Sequence, residues 1–279
     1  MLGFGDRLAQ AMQQRLPLCV GVDPHPELLN AWGLTDDIAG LRTFSVRTAE
    51  ALGPIVAALK PQSAFFERHG SRGIAVLEET IAASRAAGAL VIVDAKRGDI
   101  GSTAQAYADA YLRPESALFA DALTVSPYLG FGSIEPFVAA ATAVGSGLFV
   151  LARTSNPEGA EVQFARLDDG RTVAQAIIDQ AAACNAQLIE AGAGVGSIGV
   201  VVGATMTPGE VRLDRLDGPI LAPGLGAQGG TASDLAAVFG DARLVLASTS
   251  RDVLRAGPDA GDLTARAKAV ADDLRFSID

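Results

Sequence analysis

The feature that most constrains the fold is a repeated alternation of short apolar runs with longer, alanine-rich stretches. The runs are rich in Val, Ile and Leu, which is typical of buried strands, and the stretches between them have helical periodicity. The runs are Leu18–Val22, Ile55–Pro61, Leu90–Asp94, Ala122–Ser126, Leu148–Ala152, Ile198–Val202, Ile220–Pro223 and Leu244–Ser248. The helical stretches include Leu41–Leu52, Ala75–Ala87, Thr103–Arg113, Ile134–Ala143, Val173–Ala191 and Thr231–Phe239. Eight strand–helix units in 279 residues predict an α/β fold, the closed parallel (β/α)8 or TIM barrel.

Glycines and insertions refine this prediction. Gly88, Gly145 and Gly240 stand just ahead of strand-like runs, at positions that fit the C-caps of helices. Longer insertions follow the first and fifth runs, at Pro24–Gly33 and Arg153–Arg171. Loops that follow barrel strands are where barrel enzymes build their active sites. Because no linker or low-complexity tract interrupts the pattern, we expect residues 1–279 to form a single domain.

Composition argues against several classes of partner. The longest apolar runs are far shorter than the ~20 residues that a membrane-spanning helix needs. The first residues mix charged side chains such as Asp6 and Arg7 with apolar ones, unlike a secretory signal. We therefore expect a cytoplasmic protein with no membrane partner. A net charge of −10 argues against nucleic acid, which is bound by basic surfaces.

Cysteine and histidine positions predict neither a disulfide nor a metal site. Cys19 lies in a strand-like run and Cys184 in an alanine-rich stretch, so we expect two buried free thiols. The only histidines, His25 and His69, are not at metal-ligand spacing with each other or with a cysteine. These positions therefore predict no zinc site.

Lysine is rare in this chain, so its positions are informative. Only three of the 22 basic residues are lysines, at Lys60, Lys96 and Lys268. A lysine ammonium is compact, shifts its pKa readily and can release a proton, whereas arginine stays charged. Lys268 lies in the last predicted helix and is expected to be a solvated charge, whereas Lys60 and Lys96 stand at the ends of predicted strands.

The strongest local motif is Val91–Thr103, which reads Val-Ile-Val-Asp-Ala-Lys-Arg-Gly-Asp-Ile-Gly-Ser-Thr. Strand alternation places Asp94 and Lys96 on one face at the end of a strand. The pair is either a structural ion pair that caps the barrel or a functional pair, and burial alone does not distinguish these. Asp23 and Lys60 end the two preceding strands. Charged ends on three consecutive strands indicate a site at one mouth of the barrel.

The last two strands predict a binding pocket for an anion. The seventh run leads into the glycine-rich loop Pro223–Gly230, and the eighth leads into Ser248–Arg251. Glycines expose backbone N–H groups, a following helix offers its N-terminus, and Arg251 can bind two phosphate oxygens at once. The alternative is a plain glycine-rich turn, but the nearby arginine favours phosphate. The loop is not a P-loop, because no Gly-Lys-Ser/Thr follows.

Taken together, these motifs resemble the orotidine 5′-phosphate decarboxylase family, specifically its longer bacterial and archaeal type 2 subgroup. The resemblance rests on Gly21–Pro24, on Lys60–Glu67 (Lys-Pro-Gln-Ser-Ala-Phe-Phe-Glu), on the Asp94 motif, on Thr154–Pro157 and on the Pro223–Gly230 loop, and it ends near Arg251. It spans nearly the whole predicted barrel. The Asp-x-Lys-x-x-Asp element is shared with a wider superfamily, but the full set is specific.

The resemblance implies roles for individual residues. The catalytic set would be an alternating charge network of Lys60, Asp94, Lys96 and Asp99. Asp23 and Lys60 would hold the ribose hydroxyls, Ser155 the pyrimidine edge, Gln228 both base and phosphate, and Arg251 the phosphate. The predicted substrate-binding set also includes Ile100, Thr103, Pro223 and Ser250. Asp99 would reach the site of a second subunit, which implies a homodimer with shared active sites.

The implied reaction is the cofactor-free decarboxylation of orotidine 5′-monophosphate to UMP, a lyase step of pyrimidine biosynthesis. Loss of CO2 leaves a carbanion at C6 in the plane of the ring, where conjugation helps little. The Lys96 ammonium would stabilise this charge by Coulomb attraction and then protonate C6. Asp94 would orient Lys96. The glycine-rich loop at 224–230 is a candidate lid.

Two other functions remain open at this point. A metal-dependent sugar-phosphate decarboxylase or aldolase of the same superfamily would resemble the chain at Asp94, Lys96 and Asp99. Such enzymes hold Mg²⁺ with extra acidic residues at strand ends, and the nearest candidate after the second run is Glu67, several residues downstream. A non-catalytic nucleotide-binding barrel would bind UMP without turnover.

Overall fold

The computed structural model describes residues 2–225, 231–240, 242 and 244–275. Its parallel strands close into a barrel in chain order, from β1 to β8, and β8 pairs with β1. The predicted (β/α)8 fold is therefore confirmed. The strands are β1 Leu16–Val22, β2 Val56–Pro61, β3 Leu90–Arg97, β4 Ala122–Val125, β5 Gly147–Arg153, β6 Ile198–Val202, β7 Ile220–Pro223 and β8 Val245–Thr249.

Helices of varied length surround the barrel. They are α1 Phe4–Gln14, α2 Pro26–Ala31, α3 Ile38–Leu52, α4 Ser63–Glu67, α5 Gly70–Ala86, α6 Gly101–Leu112, α7 Glu135–Val144, α8 Gly159–Gln163, α9 Val173–Glu190, α10 Ala232–Phe239, α11 Arg251–Leu254 and α12 Ala260–Arg275, with a 3₁₀ helix at Phe131–Ile134. Asp37 caps α3 by accepting a hydrogen bond from the Gly40 N–H at 2.9 Å. No helix in the described part of the chain has the length and apolar character needed to span a membrane.

Most predicted elements lie within a few residues of the observed ones. β6 and β7 have the predicted bounds, whereas β3 continues three residues beyond the predicted end, to Arg97. Gly145 ends α7 with a φ of +71°, a left-handed conformation that favours glycine. The expectation of a helix after every strand is wrong between β6 and β7. The connection at 203–219 forms turns, because Pro208, Gly209, Gly218 and Pro219 interrupt helical structure.

Helix α1, which the sequence analysis did not predict, closes the bottom of the barrel. Its Phe4 and Leu8 side chains are fully buried and pack with barrel-interior residues such as Cys19 and Phe149. The rings of Phe4 and Phe149 meet edge to face, with centroids 5.8 Å apart. The two cysteines are free thiols as predicted, although Cys184 is only half-buried. Because α1 covers the lower end, a ligand site within the barrel must open at the other end.

Candidate active site

One cavity of about 470 Å³ lies at the carboxyl ends of the strands. The strands are parallel, so the side chains that end them meet at this mouth. Eight of the residues predicted from sequence to form the site line the cavity. They are Asp23, Lys60, Asp94, Lys96, Ser155, Pro223, Ser250 and Arg251.

Three of these side chains form a continuous chain of charges. The Lys60 Nζ donates to Asp94 Oδ2 at 2.9 Å, and the Lys96 Nζ donates to Asp94 Oδ1 at 2.5 Å. One carboxylate therefore holds two ammonium groups, one on each oxygen. Lys60 and Asp94 are buried, whereas the Lys96 side chain is 43% exposed. The array thus ends in an ammonium that is both anchored and accessible from the cavity.

The pKa values of the buried pair follow from burial and from the neighbouring charges. Burial alone disfavours the charged form of each group. The pKa of Lys60 nevertheless lies above its ordinary value, because the carboxylates of Asp94 and Asp23 outweigh that effect. The pKa of Asp94 lies below its ordinary value, because Lys60 and Lys96 outweigh burial. Lys60 and Asp94 are therefore both charged at neutral pH.

Two further side chains hold Asp94, and the sequence analysis assigned neither of them to the site. Gln62 follows β2, and with its amide nitrogen turned toward Asp94 it donates to Oδ2 at 2.7 Å. Thr124 in β4 donates to Asp94 Oδ1 at 2.8 Å. Gln62 lies in the Lys60–Glu67 segment on which the family resemblance rests, so its role could have been predicted. The hydroxyl of Thr124 gave no sequence signal, because it lies in an ordinary apolar strand.

Replacing Asp94 with asparagine should destabilise the fold. The variant leaves the buried Lys60 ammonium without its carboxylate, and breaking a buried pair from one side costs about 3–5 kcal/mol. Folding lowers the pKa of Asp94, so its stabilisation is complete above its ordinary value of 3.8 and is lost as pH falls further. Urea unfolding at pH 7 should therefore separate the variant from wild type, and the gap should shrink below about pH 4.

The exposed Asp272→Asn in α12 is the matched control for this comparison and should leave stability unchanged within about 0.5 kcal/mol. Equal stability of wild type and Asp94→Asn at pH 7 would contradict the assignment of a buried, charged pair.

The cavity also contains polar atoms without a partner among the described residues. Asp23 Oδ1, Thr249 Oγ1 and Ser250 Oγ are buried, and no described residue forms a hydrogen bond with them. All three residues line the cavity. Buried polar atoms are nearly always satisfied by protein, water or ligand. This side of the cavity therefore fits a ligand that carries several hydroxyl or phosphate oxygens.

The predicted anion pocket is described only in part. Pro223, Gly224 and Leu225 line the cavity at the end of β7, the strand next to β8 and Arg251, and Gly224 has a φ of +114° that favours glycine. Gln228 and the rest of 226–230 lie outside the described residues. The following helix, α10, is capped by its own Thr231 and Asp234 in a reciprocal capping box. Its first N–H groups are thus partly used, and among the described residues Arg251 is the side chain predicted to bind the phosphate.

The insertion after β5 brings Ser155 to the cavity. The buried Arg153, at the end of β5, donates to Glu210 at 3.0 Å and to the carbonyl of Thr154 at 2.6 Å. Its guanidinium also lies over the ring of Phe164, 4.3 Å from the centroid. Arg153 therefore fixes the start of the insertion against the loop that follows β6.

Asp99, Ile100 and Thr103 do not line the cavity of their own chain. Asp99 is half-buried and accepts a hydrogen bond from the Ile100 N–H at 2.8 Å. Ile100 is 62% exposed, and Thr103 is exposed at the start of α6. These residues follow β3 and lie outside the lining of the cavity that Asp94 and Lys96 share.

Comparison with known proteins places the chain among enzymes of one kind. A family model described as "Orotidine 5'-phosphate decarboxylase / HUMPS family" matches residues 16–263. An orotidine 5′-phosphate decarboxylase of Salinispora arenicola is 56% identical over 279 residues, which cover 100% of this chain and 99% of that protein. One from a Nocardioides species is 59% identical over 258 residues, which cover 91% and 93% respectively.

Solved structures agree with the sequence relatives. A crystal structure from Streptomyces avermitilis, described as an orotidine 5′-phosphate decarboxylase, superposes with a TM-score of 0.95 at 57% identity. The match covers 100% of this chain and 96% of that one.

Proposed function

The chain belongs to the orotidine 5′-phosphate decarboxylase family, and from that premise we propose how the residues of its cavity convert orotidine 5′-monophosphate to UMP. The enzyme is a carboxy-lyase of pyrimidine biosynthesis. The observation that carries the proposal is the Lys60–Asp94–Lys96 charge array in one cavity at the carboxyl ends of the strands. It supplies a fixed positive charge at a site where a substrate carboxylate can be lost.

Binding of the nucleotide uses the polar atoms that lack partners. Asp23 Oδ1 accepts a ribose hydroxyl, and the neighbouring Lys60 donates to the sugar. Arg251, Ser250 and Thr249 receive the phosphate at the far side of the cavity. Ser155 bonds the edge of the pyrimidine. Because the phosphate lies far from the reacting carbon, its binding energy serves to position the ring over Lys96.

The carbon–carbon bond then breaks with its electron pair left on C6. CO2 departs, and the pair occupies an orbital in the ring plane. The Lys96 ammonium, held by Asp94 at 2.5 Å, stabilises this developing charge without having to reorganise. Apolar side chains of Leu151, Val201 and Leu221 line the same cavity and keep the electrostatic interactions strong by excluding water.

Proton transfer completes the reaction. Lys96 gives a proton from Nζ to the C6 carbanion, which forms the C6–H bond of UMP and leaves a neutral amine. The side chain is 43% exposed, so the amine recovers a proton from water once the product has left. Asp94 then holds the restored ammonium in place for the next turnover.

The metal-dependent sugar-phosphate alternative is less well supported. It needs a further carboxylate at the strand ends, and the candidate Glu67 is engaged by Arg97 and by the Ser63 hydroxyl, outside the cavity lining. The relatives at 56% and 59% identity are named as decarboxylases. A binding protein without turnover is also less well supported, because the same relatives are named as enzymes.

We infer that the active enzyme is a homodimer. Large apolar side chains are exposed beside the cavity mouth: Ile100 at 62%, Tyr128 at 78% and Leu129 at 55%. Their two loops touch, because a Cβ at Gly98 would meet the Ser126 carbonyl at 2.4 Å. A second copy of the chain would cover this face and receive Asp99 in its own site.

Other predictions made from the sequence stay predictions. These are the single domain, the cytoplasmic location, the lack of a nucleic-acid partner, the lid at 224–230 and the role of Gln228.

The activity is tested by following orotidine 5′-monophosphate with purified protein. We expect loss of its ultraviolet absorbance together with stoichiometric UMP and CO2. Tight UMP binding without turnover by folded protein would favour the nucleotide-binding barrel instead. Neither turnover nor UMP binding would move the function to the sugar-phosphate relatives.

Replacing Arg251 with alanine should raise KM for orotidine 5′-monophosphate about 10- to 100-fold, because a charge-assisted bond to phosphate contributes about 1.5–3 kcal/mol. The change in kcat should be smaller, since the lysine array is intact. Arg255→Ala is the matched control, because Arg255 is exposed and does not line the cavity. A wild-type KM for Arg251→Ala would place the phosphate elsewhere.

A further inference from the structure

Thr124 holds an unusual position for a hydroxyl. It lies in β4, where Ala122, Leu123 and Val125 are fully buried, and it is itself only 1% exposed. It also lines the cavity beside Asp94 and Lys96. Since the rest of the strand is apolar and a buried hydroxyl needs partners, the reason for this hydroxyl is to be sought in the site.

The Thr124 hydroxyl acts as both acceptor and donor toward residues of the charge array. It accepts from the backbone N–H of Lys96 at 2.9 Å and donates to Asp94 Oδ1 at 2.8 Å. Because an N–H can only donate, the single hydroxyl proton must point toward the carboxylate. One side chain therefore fixes the Lys96 backbone and the Asp94 carboxylate together.

The backbone at Lys96 needs such support. Its φ is +46°, and Lys96 and Asp217 are the only non-glycine residues with positive φ in the described part of the chain. A left-handed conformation at a residue with a side chain is strained and persists only where its surroundings enforce it. The strain therefore lies at the residue that is proposed to perform the chemistry.

The strand pairing explains how Thr124 comes to supply this support. The β3–β4 ladder shifts register, with Val93 opposite Leu123 and Arg97 opposite Val125. Residues 94–96 of β3 are thus opposite the single residue Thr124, as in a β-bulge, which changes the direction of a side chain. The hydroxyl takes the place of a backbone acceptor for the Lys96 N–H.

We propose that Thr124 is a positioning residue for decarboxylation, which locks Lys96 in its left-handed conformation and orients Asp94 toward it. This inference rests on the proposed role of Lys96 as the group that stabilises and protonates C6. Thr124 makes no bond to substrate in this role. Its loss should displace the ammonium, and a displacement of about 1 Å can cost about 100-fold in rate.

The test compares three substitutions at this position. Thr124→Val keeps the shape and removes the hydroxyl, and should lower kcat about 10- to 100-fold while KM and the Kd for UMP change less than about threefold. Thr124→Ser restores the hydroxyl and should keep kcat within about threefold of wild type. Thr124→Ala also lacks the hydroxyl. If the valine variant does not fold, the kcat of Thr124→Ala is compared with that of Thr124→Ser instead.

A buried threonine elsewhere supplies the control. Thr80 in α5 is fully buried and donates to the Val76 carbonyl, so Thr80→Val makes the same chemical change far from the site. It should shift Tm but leave kcat unchanged. Wild-type kcat in Thr124→Val, or equal loss in the serine and hydroxyl-free variants, would overturn the proposal. Lack of turnover by wild type would instead refute the proposed function, so the two failures are distinguishable.

Discussion

Replacing Lys96 with alanine is expected to lower kcat for orotidine 5′-monophosphate at least about 10⁴-fold, the combined effect of a lost general acid and a lost preorganised charge. The variant removes the Lys96 ammonium, which is the accessible end of the charge array in the cavity. UMP binding should change by less than about tenfold, because the phosphate and ribose contacts lie on other strands. Steady-state kinetics and UMP titration measure the two effects separately.

The third lysine of the chain provides the control for this experiment. Lys268 is exposed in α12 and contributes nothing to the cavity, so Lys268→Ala should have wild-type kcat and KM. A kcat for Lys96→Ala within about tenfold of wild type, or ~1.4 kcal/mol of barrier, would exclude Lys96 from the chemical step. Equal loss of UMP binding would instead indicate that the cavity had collapsed.

Mixing two inactive variants, Lys96→Ala and Asp99→Ala, is expected to restore about a quarter of wild-type activity if subunits exchange at random. About half of the dimers are then mixed, and one of their two sites combines an intact Lys96 with an intact Asp99 from the other chain. The expectation follows from the exposed position of the loop that carries Asp99, outside its own cavity.

A second mixture controls for nonspecific recovery. Lys96→Ala and Asp94→Asn change two residues of the same cavity, so a mixed dimer has no intact site and should stay inactive. Native mass spectrometry shows whether subunits have exchanged. Full exchange without recovered activity in the first mixture would refute the shared site.

The barrel was predictable because its signals are local. Each strand is a short apolar run, and these runs alone placed β6 and β7 at their observed bounds. Helix α1 was missed although its buried residues Phe4 and Leu8 stand four apart, the spacing of one face of a helix. The turns between β6 and β7 were missed because a repeated pattern elsewhere suggested a helix that the local prolines and glycines do not allow.

The charges of the site were predictable for a similar reason. Strand ends in a parallel barrel meet at one mouth, so Lys60, Asp94 and Lys96 could be grouped from their places along the chain. The left-handed backbone of Lys96 and the hydroxyl that supports it could not be predicted. Both arise from the register shift between β3 and β4, which depends on how two complete strands pair.

The most direct test of the central claim is kcat for orotidine 5′-monophosphate before and after exhaustive chelation with EDTA. The proposed mechanism relies on charged side chains of the protein and on no metal ion, so we predict the same kcat in both samples, with UMP as the product. Loss of turnover on chelation and its recovery on adding Mg²⁺ would contradict that mechanism and favour metal-assisted chemistry in the same barrel.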